Sequence, residues 1–434
     1  MLHNLLFLLS ISLLLHASAV AQQAAIDLSD SEIARLDRVA GLQYDVDYLV
    51  NEAQSRHAGP SRPAFSEAFL SHAETMRAAI ADSSDLEVLV LFMELTALLG
   101  DGHTGIYGPT ADSPLEIDQS TLPLRFYWFE EGLYIIDGLG EAARFAGSQV
   151  LRFGELSPAQ VSGRLESVRS GDNDMTWVWM APQFYLPAVE LLSVAGATEA
   201  LDRVELTLRR PSGEVEQLMI SGADYTLPRK LRPSPSASGE VPLYLSQVDS
   251  NYWLHSLPEH RALYFQFNQV RDREELAISQ FAEQLAQRLE AESVRNLIVD
   301  VRHNNGGNNR LLRPLVQKLI AFEQAGQDHR IFVITGRNTF SAAQNFINRV
   351  ERWTDALFVG EPSSSSPNFV GEETTLLLPY SKIAGSLSDR YWQDSDPFDD
   401  RAWITPDIPV AVTARDYFSG QDAALAAVFR HIER

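Results

Sequence analysis

Two segments in the C-terminal half of the chain repeat the order of strand, sharp turn and helix. The first is the apolar run 296–302, followed by the turn 303–309 and a helical pattern. The second is the run 331–335, followed by the turn 336–338 and a second helical pattern. Continuous apolar runs of this kind are typical of central strands in a parallel sheet. The repeat predicts a layered α/β core, with both turns at the carboxyl edge where sites gather.

Ser341 lies at the second of these strand-to-helix junctions, and it has two interpretations. A serine in this position is often a helix N-cap. It can also be a nucleophile, because its hydroxyl projects from a rigid scaffold beside backbone N–H groups that no helical carbonyl satisfies. The first junction supplies a possible partner, since Gly306 and Gly307 permit positive φ and a close backbone approach to a ligand. An ordinary βα loop is the alternative for that pair.

Four motifs in this half of the chain resemble the tail-specific (C-terminal processing) serine peptidases, in the tricorn-core and retinoid-binding-protein-like branches. In order they are DVRHNNGG, TFSAAQNF, VGEPSSSSPN and ITPDIPV, and LLGDGHTGIYG extends the match more loosely toward the N-terminus. The resemblance implies a ClpP/crotonase-like layered core. It also implies that Ser341 is the nucleophile, and that Ala342 with Gly306 or Gly307 forms the oxyanion hole.

A histidine base is predicted for Ser341, because the lysine that the tail-specific branch carries in the VGE run is missing here. The chain has only three lysines, Lys230, Lys318 and Lys382, and none lies in that run. Histidine titrates close to neutral pH, which suits a general base. By resemblance to the tricorn-like branch, His103 is the base.

The remaining predicted catalytic residues are those that orient the base and a second histidine that is the alternative base. Asp101 or Thr104 could orient the His103 ring, and His303 is the second choice for the base. The family pattern ahead of PDI places an acidic orienter at Asp400, where a glutamate is usual. In this mechanism the serine attacks a peptide carbonyl, the histidine takes its proton, and water later releases the acyl-enzyme.

The N-terminus reads as a secretory leader of residues 1–21, with an apolar stretch too short to span a bilayer and small residues before the predicted cleavage after Ala21. The leader predicts a periplasmic or secreted protein that does not span the membrane after cleavage. The chain has no cysteine, so disulfides and thiolate chemistry are excluded. No metal or other cofactor is predicted, and a net charge of −23 disfavours nucleic acid as a partner.

Composition and periodicity along the chain predict the domain organisation. We expect an N-terminal helical domain at 22–115, a β-rich domain at 116–224 whose element order resembles a PDZ domain, a Pro- and Ser-rich linker at 225–250 and the catalytic α/β core at 251–434. PDZ domains bind peptide C-termini by strand addition. An insertion at 172–200 makes this match irregular, and Gly138-Leu139-Gly140 is the nearest candidate for a carboxylate loop.

Two functions of different classes follow. The first is a serine peptidase acting on peptides or unfolded proteins, with an oligomer compatible with the sequence. The second is a non-catalytic carrier of a hydrophobic ligand or peptide on the same fold. Ser341, the Gly-Gly loop and His103 together favour the enzyme. An α/β-hydrolase esterase is a weaker third reading, since the G-x-S-x-G elbow is missing.

Overall fold

The computed structural model describes residues 28–59, 61–117 and 119–434. The predicted leader at 1–21 lies outside these ranges. Within them, no helix combines the length and the apolar character needed to cross a bilayer.

The described helices are short to medium in length. In chain order they are α1 Asp30–Ile33, α2 Arg38–Arg56, α3 Glu67–Ala79, α4 Asp85–Ala97, α5 Pro158–Arg164, α6 Asp174–Met180, α7 Val189–Val194, α8 Leu243–Ser246, α9 Ile278–Ala291, α10 Arg313–Gln324, α11 Ala342–Trp353, α12 Ala414–Phe418 and α13 Ala423–Ile432. A single turn of π-helix, Ala181–Tyr185, continues α6.

The described strands form three sheets. They are β1 Gly105–Pro109, β2 Leu124–Phe129, β3 Gly132–Gly138, β4 Gln149–Phe153, β5 Arg203–Arg209, β6 Val215–Ser221, β7 Tyr252–Leu257, β8 Ala262–Phe267, β9 Asn296–Asp300, β10 Arg330–Thr335, β11 Leu357–Gly360, β12 Asn368–Leu377, β13 Ile383–Gln393 and β14 Ile408–Pro409. The sheet orders are β1-β13-β12, β14-β11-β10-β9-β8-β7 and β2-β3-β4-β5-β6.

The chain divides into two compact units. The first combines residues up to 117 with 167–170 and 370–391, and the second holds the rest of the chain. These units are coarser than the predicted domains, whose boundaries stay predictions.

A six-stranded sheet organises the second unit, and the predicted α/β class is confirmed. From β8 to β14 its strands run parallel, and β7 alone is antiparallel. All five residues of β9 and the last five of β10 are buried, as the apolar runs predict. The helices α9, α10 and α11 pack on one face in a single apolar core, and α13 packs on the other face. Because helices cover both faces of the sheet, the residues along each central strand are apolar on both sides and do not alternate with polar ones.

The β-rich part of the second unit is a five-stranded antiparallel sheet. Its first hairpin turns at Glu130 and Glu131, as the sequence predicts, and pairs Trp128 with Leu133. The Pro-rich segment that follows is tied to the rest of the unit. Tyr417 donates its hydroxyl to the Arg232 carbonyl at 2.6 Å, and the Ser238 N–H donates to the Phe418 carbonyl at 2.8 Å.

The first unit packs three helices, α2, α3 and α4, around an apolar core. The hairpin of β12 and β13 contributes Leu376, Ile383 and Leu387 to this core. Strand β1 joins the same hairpin by pairing with β13, Gly105 opposite Ser386. The turn that carries His103 lies between α4 and β1.

Candidate active site

Ser341 occupies a strained turn between β10 and α11. Its backbone has φ 55° and ψ −123°, and its side chain makes no capping hydrogen bond to α11. Ser66 and Ser84, which do cap their helices, have φ of −68° and −67°. A non-glycine residue with positive φ outside the left-handed helical region costs about 1–3 kcal/mol and is concentrated at functional sites. The helix-cap interpretation of Ser341 therefore does not hold.

Exposure also singles out Ser341 within its segment. It is partly exposed, whereas the seven residues that follow it, from Ala342 to Asn348, are all buried in the core side of α11. The rigid helix behind the serine leaves its own position open to solvent. A nucleophile needs this combination of fixed backbone and access.

Two neighbouring loops hold the turn from both sides. From the β9 side, the Asn304 carbonyl accepts the Phe340 N–H at 3.0 Å. From the β11 side, the Ser365 hydroxyl oxygen accepts the Ser341 N–H at 3.1 Å, and the Ser364 N–H donates to the Thr339 carbonyl at 3.0 Å. The strained conformation is thus held by two backbone–backbone hydrogen bonds and by the Ser365 side chain.

The Gly-Gly loop lies directly against the serine. A Cβ added to Gly306, whose φ is 108°, would come within 2.8 Å of the Ser341 Cβ and 2.9 Å of the Ala342 nitrogen. Gly307, with φ 131°, approaches Val270 instead, since its added Cβ would lie 2.2 Å from that carbonyl oxygen. Glycine at both positions is therefore required by close contact and by positive φ.

The backbone N–H groups in the two loops differ in whether they already donate a hydrogen bond. The Gly306 N–H donates to the Asn304 side-chain oxygen at 3.0 Å. Within the described part of the chain, the N–H groups of Gly307 and Ala342 donate to no acceptor. These two donors lie at the junctions after β9 and β10, respectively, and backbone N–H groups of this kind can stabilise an oxyanion.

Asp400 lies in an exposed segment after β13. Its neighbour Arg401 pairs with Asp399 and with Glu351 of α11, each at 2.8 Å. The hydrogen bonds from Arg401 hold the pKa of Asp399 at about 2. The Ala402 carbonyl accepts the Ser366 hydroxyl at 3.2 Å, so this segment lies beside the loop that binds Ser341. The orienting role of Asp400 stays a prediction.

His103 lies in the first unit, in a buried turn. Burial lowers the pKa of its imidazole to about 4, against the opposing effects of the Asp101 charge and a hydrogen bond with the Val370 backbone. Asp101 stabilises the backbone of this turn. Its carboxylate accepts the backbone N–H groups of His103 and Thr104, at 2.9 and 2.7 Å. The imidazole is therefore neutral at neutral pH, which is the protonation state of a base.

A second histidine in the first unit escaped the sequence analysis. The Nε2 of His57 lies 2.9 Å from the second carboxylate oxygen of Asp101, and both side chains are buried. Ser388 donates its hydroxyl to the same carboxylate at 2.7 Å. A lone histidine at the end of a helix offers no sequence signal for this contact, which joins residues far apart in the chain.

The alternatives for the base are held elsewhere in the second unit. The Nε2 of His303 lies 3.0 Å from the Tyr244 carbonyl oxygen, and its ring stacks on Tyr244 at a centroid distance of 5.6 Å. Burial lowers the pKa of His303 to about 4 as well. His303 lines a cavity of about 90 Å³. Lys318 pairs with Glu283 at 2.8 Å.

Comparisons with known proteins identify the fold. No family model and no curated protein matches the sequence. Mature CPAF matches with a TM-score of 0.62 at 14% identity, over 90% of this chain and 97% of that one. Mature CPAF complexed with lactacystin matches with a TM-score of 0.64 at 14% identity, over 91% and 98%. The chain has the CPAF fold.

A structure of the tricorn protease also matches, but far more loosely. Its TM-score is 0.40 at 13% identity, and the match spans 91% of this chain but only 37% of the tricorn chain. The tricorn-core branch stays a prediction, and the match to mature CPAF covers 90% of this chain.

The predicted site residues are distributed over both units of the CPAF fold. Ser341, Ala342, the two glycines and Asp400 belong to the second unit, and His103 belongs to the first. Within the second unit the structure brings Ser341, Ala342 and Gly306 together. The pairing of Ser341 with His103 stays a prediction.

Proposed function

We propose that this chain is an exported serine peptidase of the tail-specific type, which hydrolyses peptide bonds in peptides or unfolded proteins. The observation that carries the proposal is the conformation of Ser341. A partly exposed serine with φ 55° is held at the carboxyl edge of a parallel sheet, next to the Ala342 N–H, which donates to no acceptor within the described residues. The sequence motifs add the family resemblance, and the leader adds export to the periplasm or the medium.

In the proposed reaction, the Ser341 hydroxyl attacks the scissile carbonyl carbon while His103 accepts its proton. The carbonyl oxygen becomes an oxyanion, which the N–H groups of Ala342 and Gly307 stabilise. His103 then gives the proton to the leaving amine, and an acyl-enzyme remains on Ser341. Water, deprotonated by His103, hydrolyses this ester and regenerates the serine. Asp400 is proposed to orient the imidazole.

The two oxyanion donors are chosen according to which backbone N–H groups already donate a hydrogen bond elsewhere. Gly306 uses its N–H on Asn304, so its contribution is the absence of a side chain. This lets the loop approach Ser341 closely, and the N–H of the adjacent Gly307 is proposed to serve the same oxygen as that of Ala342. Loss of one such donor typically costs about 100- to 1000-fold in turnover.

The β-rich sheet is proposed to act as a PDZ-like module of the same enzyme. The support is a five-stranded antiparallel sheet with a tight first hairpin, in the segment whose element order resembles a PDZ domain. Its edge strands β2 and β6 are where an extended peptide could add by backbone hydrogen bonds.

The proposal is tested with Ser341→Ala in the full-length chain, expressed with its own leader. We expect kcat on casein to fall by at least about a thousandfold, because the acyl-enzyme can no longer form. A fluorophosphonate probe should label the wild-type protein in the periplasmic or secreted fraction, with the label on Ser341 by mass spectrometry.

The matched control is Ser212→Ala, at an exposed serine in the β5–β6 turn of the same unit. It should keep wild-type turnover and labelling. Casein cleavage at the wild-type rate by purified, folded Ser341→Ala would sink the proposal. A folded wild-type chain that neither cleaves nor reacts would favour the carrier function instead.

A further inference from the structure

The peptide bond between Phe340 and Ser341 controls two reactive groups at once. Rotation about the N–Cα bond of Ser341 aims its hydroxyl, and the backbone beyond it aims the Ala342 N–H. Because φ of 55° is unfavourable for a serine, this peptide returns to a relaxed conformation unless its N–H is held. The residue that holds this N–H therefore decides the geometry of the site.

Ser365 supplies that hold. Its hydroxyl oxygen accepts the Ser341 N–H at 3.1 Å, and its side chain is fully buried, so water does not compete for the contact. The contact joins the β11 side of the turn to the nucleophile itself. In contrast, the hydroxyl of the adjacent Ser364 points to the Thr339 carbonyl, at a longer 3.4 Å.

The loop that carries Ser365 is itself anchored by the insertion within the β-rich part. Asn173 donates its side-chain amide to the Ser363 carbonyl at 3.2 Å and to the Ala402 carbonyl at 2.6 Å. Thr176 of α6 donates its hydroxyl to the Ser364 carbonyl at 2.8 Å. Both anchors are buried. Asn173, which caps α6, and Thr176, in the first turn of α6, thus fix the backbone on which the Ser365 hydroxyl is positioned.

We propose that Ser365 is a positioning residue that holds Ser341 in its reactive backbone conformation, and that the 173–176 segment locks Ser365 in place. The inference rests on the proposed peptidase function. Ser365 does not touch the substrate or transfer a proton. It acts on the Ser341 hydroxyl and the Ala342 N–H together, so it affects the transition state more than substrate binding.

The test compares Ser365→Ala with Ser364→Ala, two equal deletions at neighbouring and equally buried serines. We expect Ser365→Ala to lower kcat on casein by about 10- to 100-fold with KM nearly unchanged, since a small misplacement of the nucleophile costs this much. Ser364→Ala should stay within about threefold of the wild-type kcat, because its bond to Thr339 is long and misses Ser341. Thermal unfolding should shift equally in the two variants.

Ser365→Cys gives a second test that keeps an acceptor atom at the γ position while weakening it, because a thiol sulfur is a poorer acceptor than a hydroxyl oxygen. Its kcat should fall between the wild type and Ser365→Ala, and its fluorophosphonate labelling should be slower yet complete. Equal kcat values for Ser365→Ala and Ser364→Ala, or a wild-type kcat for Ser365→Cys, would overturn the positioning role. An active Ser341→Ala would instead overturn the peptidase function, so the two failures are distinguishable.

Discussion

Ser341 stores backbone strain that its neighbours must offset. The strain amounts to about 1–3 kcal/mol, comparable with the net contribution of one or two hydrogen bonds. Ser365 and Asn304 each accept one hydrogen bond from the backbone of the turn, and a hydrogen bond typically contributes about 0.5–1.5 kcal/mol. The site is therefore balanced closely, and small side-chain changes around it should alter reactivity before they alter the fold.

Replacing Ser341 by glycine should reveal this strain directly. Ser341→Gly and Ser341→Ala both remove the hydroxyl, but only glycine tolerates φ 55° with ψ −123°. We expect Ser341→Gly to be more stable than Ser341→Ala by about 1 kcal/mol in urea unfolding, despite the greater chain entropy of glycine. Equal stabilities, or a more stable alanine variant, would show that the turn is relaxed.

The protonation of His103 sets a pH limit on the proposed activity. Burial lowers its pKa to about 4, so the neutral base is fully present above about pH 5. We expect kcat/KM to stay flat down to that pH and to fall about tenfold per pH unit below 4. An unperturbed histidine would begin this fall near its usual pKa of about 6.5.

Folding must be monitored alongside that pH profile. Because the folded pKa of His103 is lower than the unfolded value, protonation favours the unfolded state, and stability declines as pH falls from about 6.5 to 4. Tryptophan fluorescence at each pH separates this decline from loss of the base. His103→Gln should be inactive at every pH, whereas His303→Gln should keep the wild-type profile. An acid limb near 6.5 in folded protein would contradict the assignment.

The local sequence predicted the position of Ser341 between a strand and a helix, but it did not predict the backbone conformation of this residue. Ser341, Ala342 and the two glycines could be placed at strand ends from local pattern alone. The positive φ of Ser341, the Ser365 contact and the His57–Asp101 pair could not, because each depends on residues brought together by tertiary packing. A serine before a helix has the same local sequence whether it caps or reacts.

At the scale of elements, the site is the meeting of two strand-to-helix loops. The strands β9 and β10 are neighbours in register, with Val299 opposite Val333, so the loops after them end side by side. The Gly306 backbone fills the space between these loops. Any side chain there would push the β9 loop away from the Ser341 turn.

Gly306→Ala should therefore remove activity, whereas Gly213→Ala should not. Both glycines have positive φ, 108° and 91°, but an added Cβ meets the Ser341 Cβ in the first case and open space in the second. We expect Gly213→Ala to cost about 1–2 kcal/mol in stability with turnover intact. Gly306→Ala should cost a further 1–3 kcal/mol and at least about a hundredfold in kcat.

Circular dichroism should show that both glycine variants are folded before the kinetics are compared. Wild-type turnover in Gly306→Ala would mean that the Gly-Gly loop does not form the oxyanion site. A similar loss in both variants would point to a general effect on stability rather than to the contact with Ser341.

Elements with strong periodicity were predicted well, and irregular ones were not. The apolar runs became β9 and β10 within one or two residues, and the hairpin at Glu130 and Glu131 formed as expected. The insertion at 172–200 gave no pattern that could predict its role. Its Asn173 and Thr176 bind carbonyl groups of the Ser365 loop, a contact that depends on geometry and not on local propensity.

At the scale of the whole molecule, the sequence predicts a linear order of domains, whereas the first unit is discontinuous. Strand β1 pairs with β13, and the hairpin of β12 and β13 completes the core around α2, α3 and α4. Long-range strand pairing leaves no local trace, since each strand fits many partners by pattern alone. The overall α/β class was accessible from sequence because it follows from alternating strands and helices.

This discontinuity has a consequence for synthesis of the protein. The helices of the first unit leave the ribosome early, but their apolar core gains Leu376, Ile383 and Leu387 only after most of the second unit has been made. Domains made from one continuous stretch can fold as soon as they emerge. Here the unit that begins first is completed only at residue 391, so a chain interrupted before residue 370 carries helices without the β12–β13 hairpin that covers them.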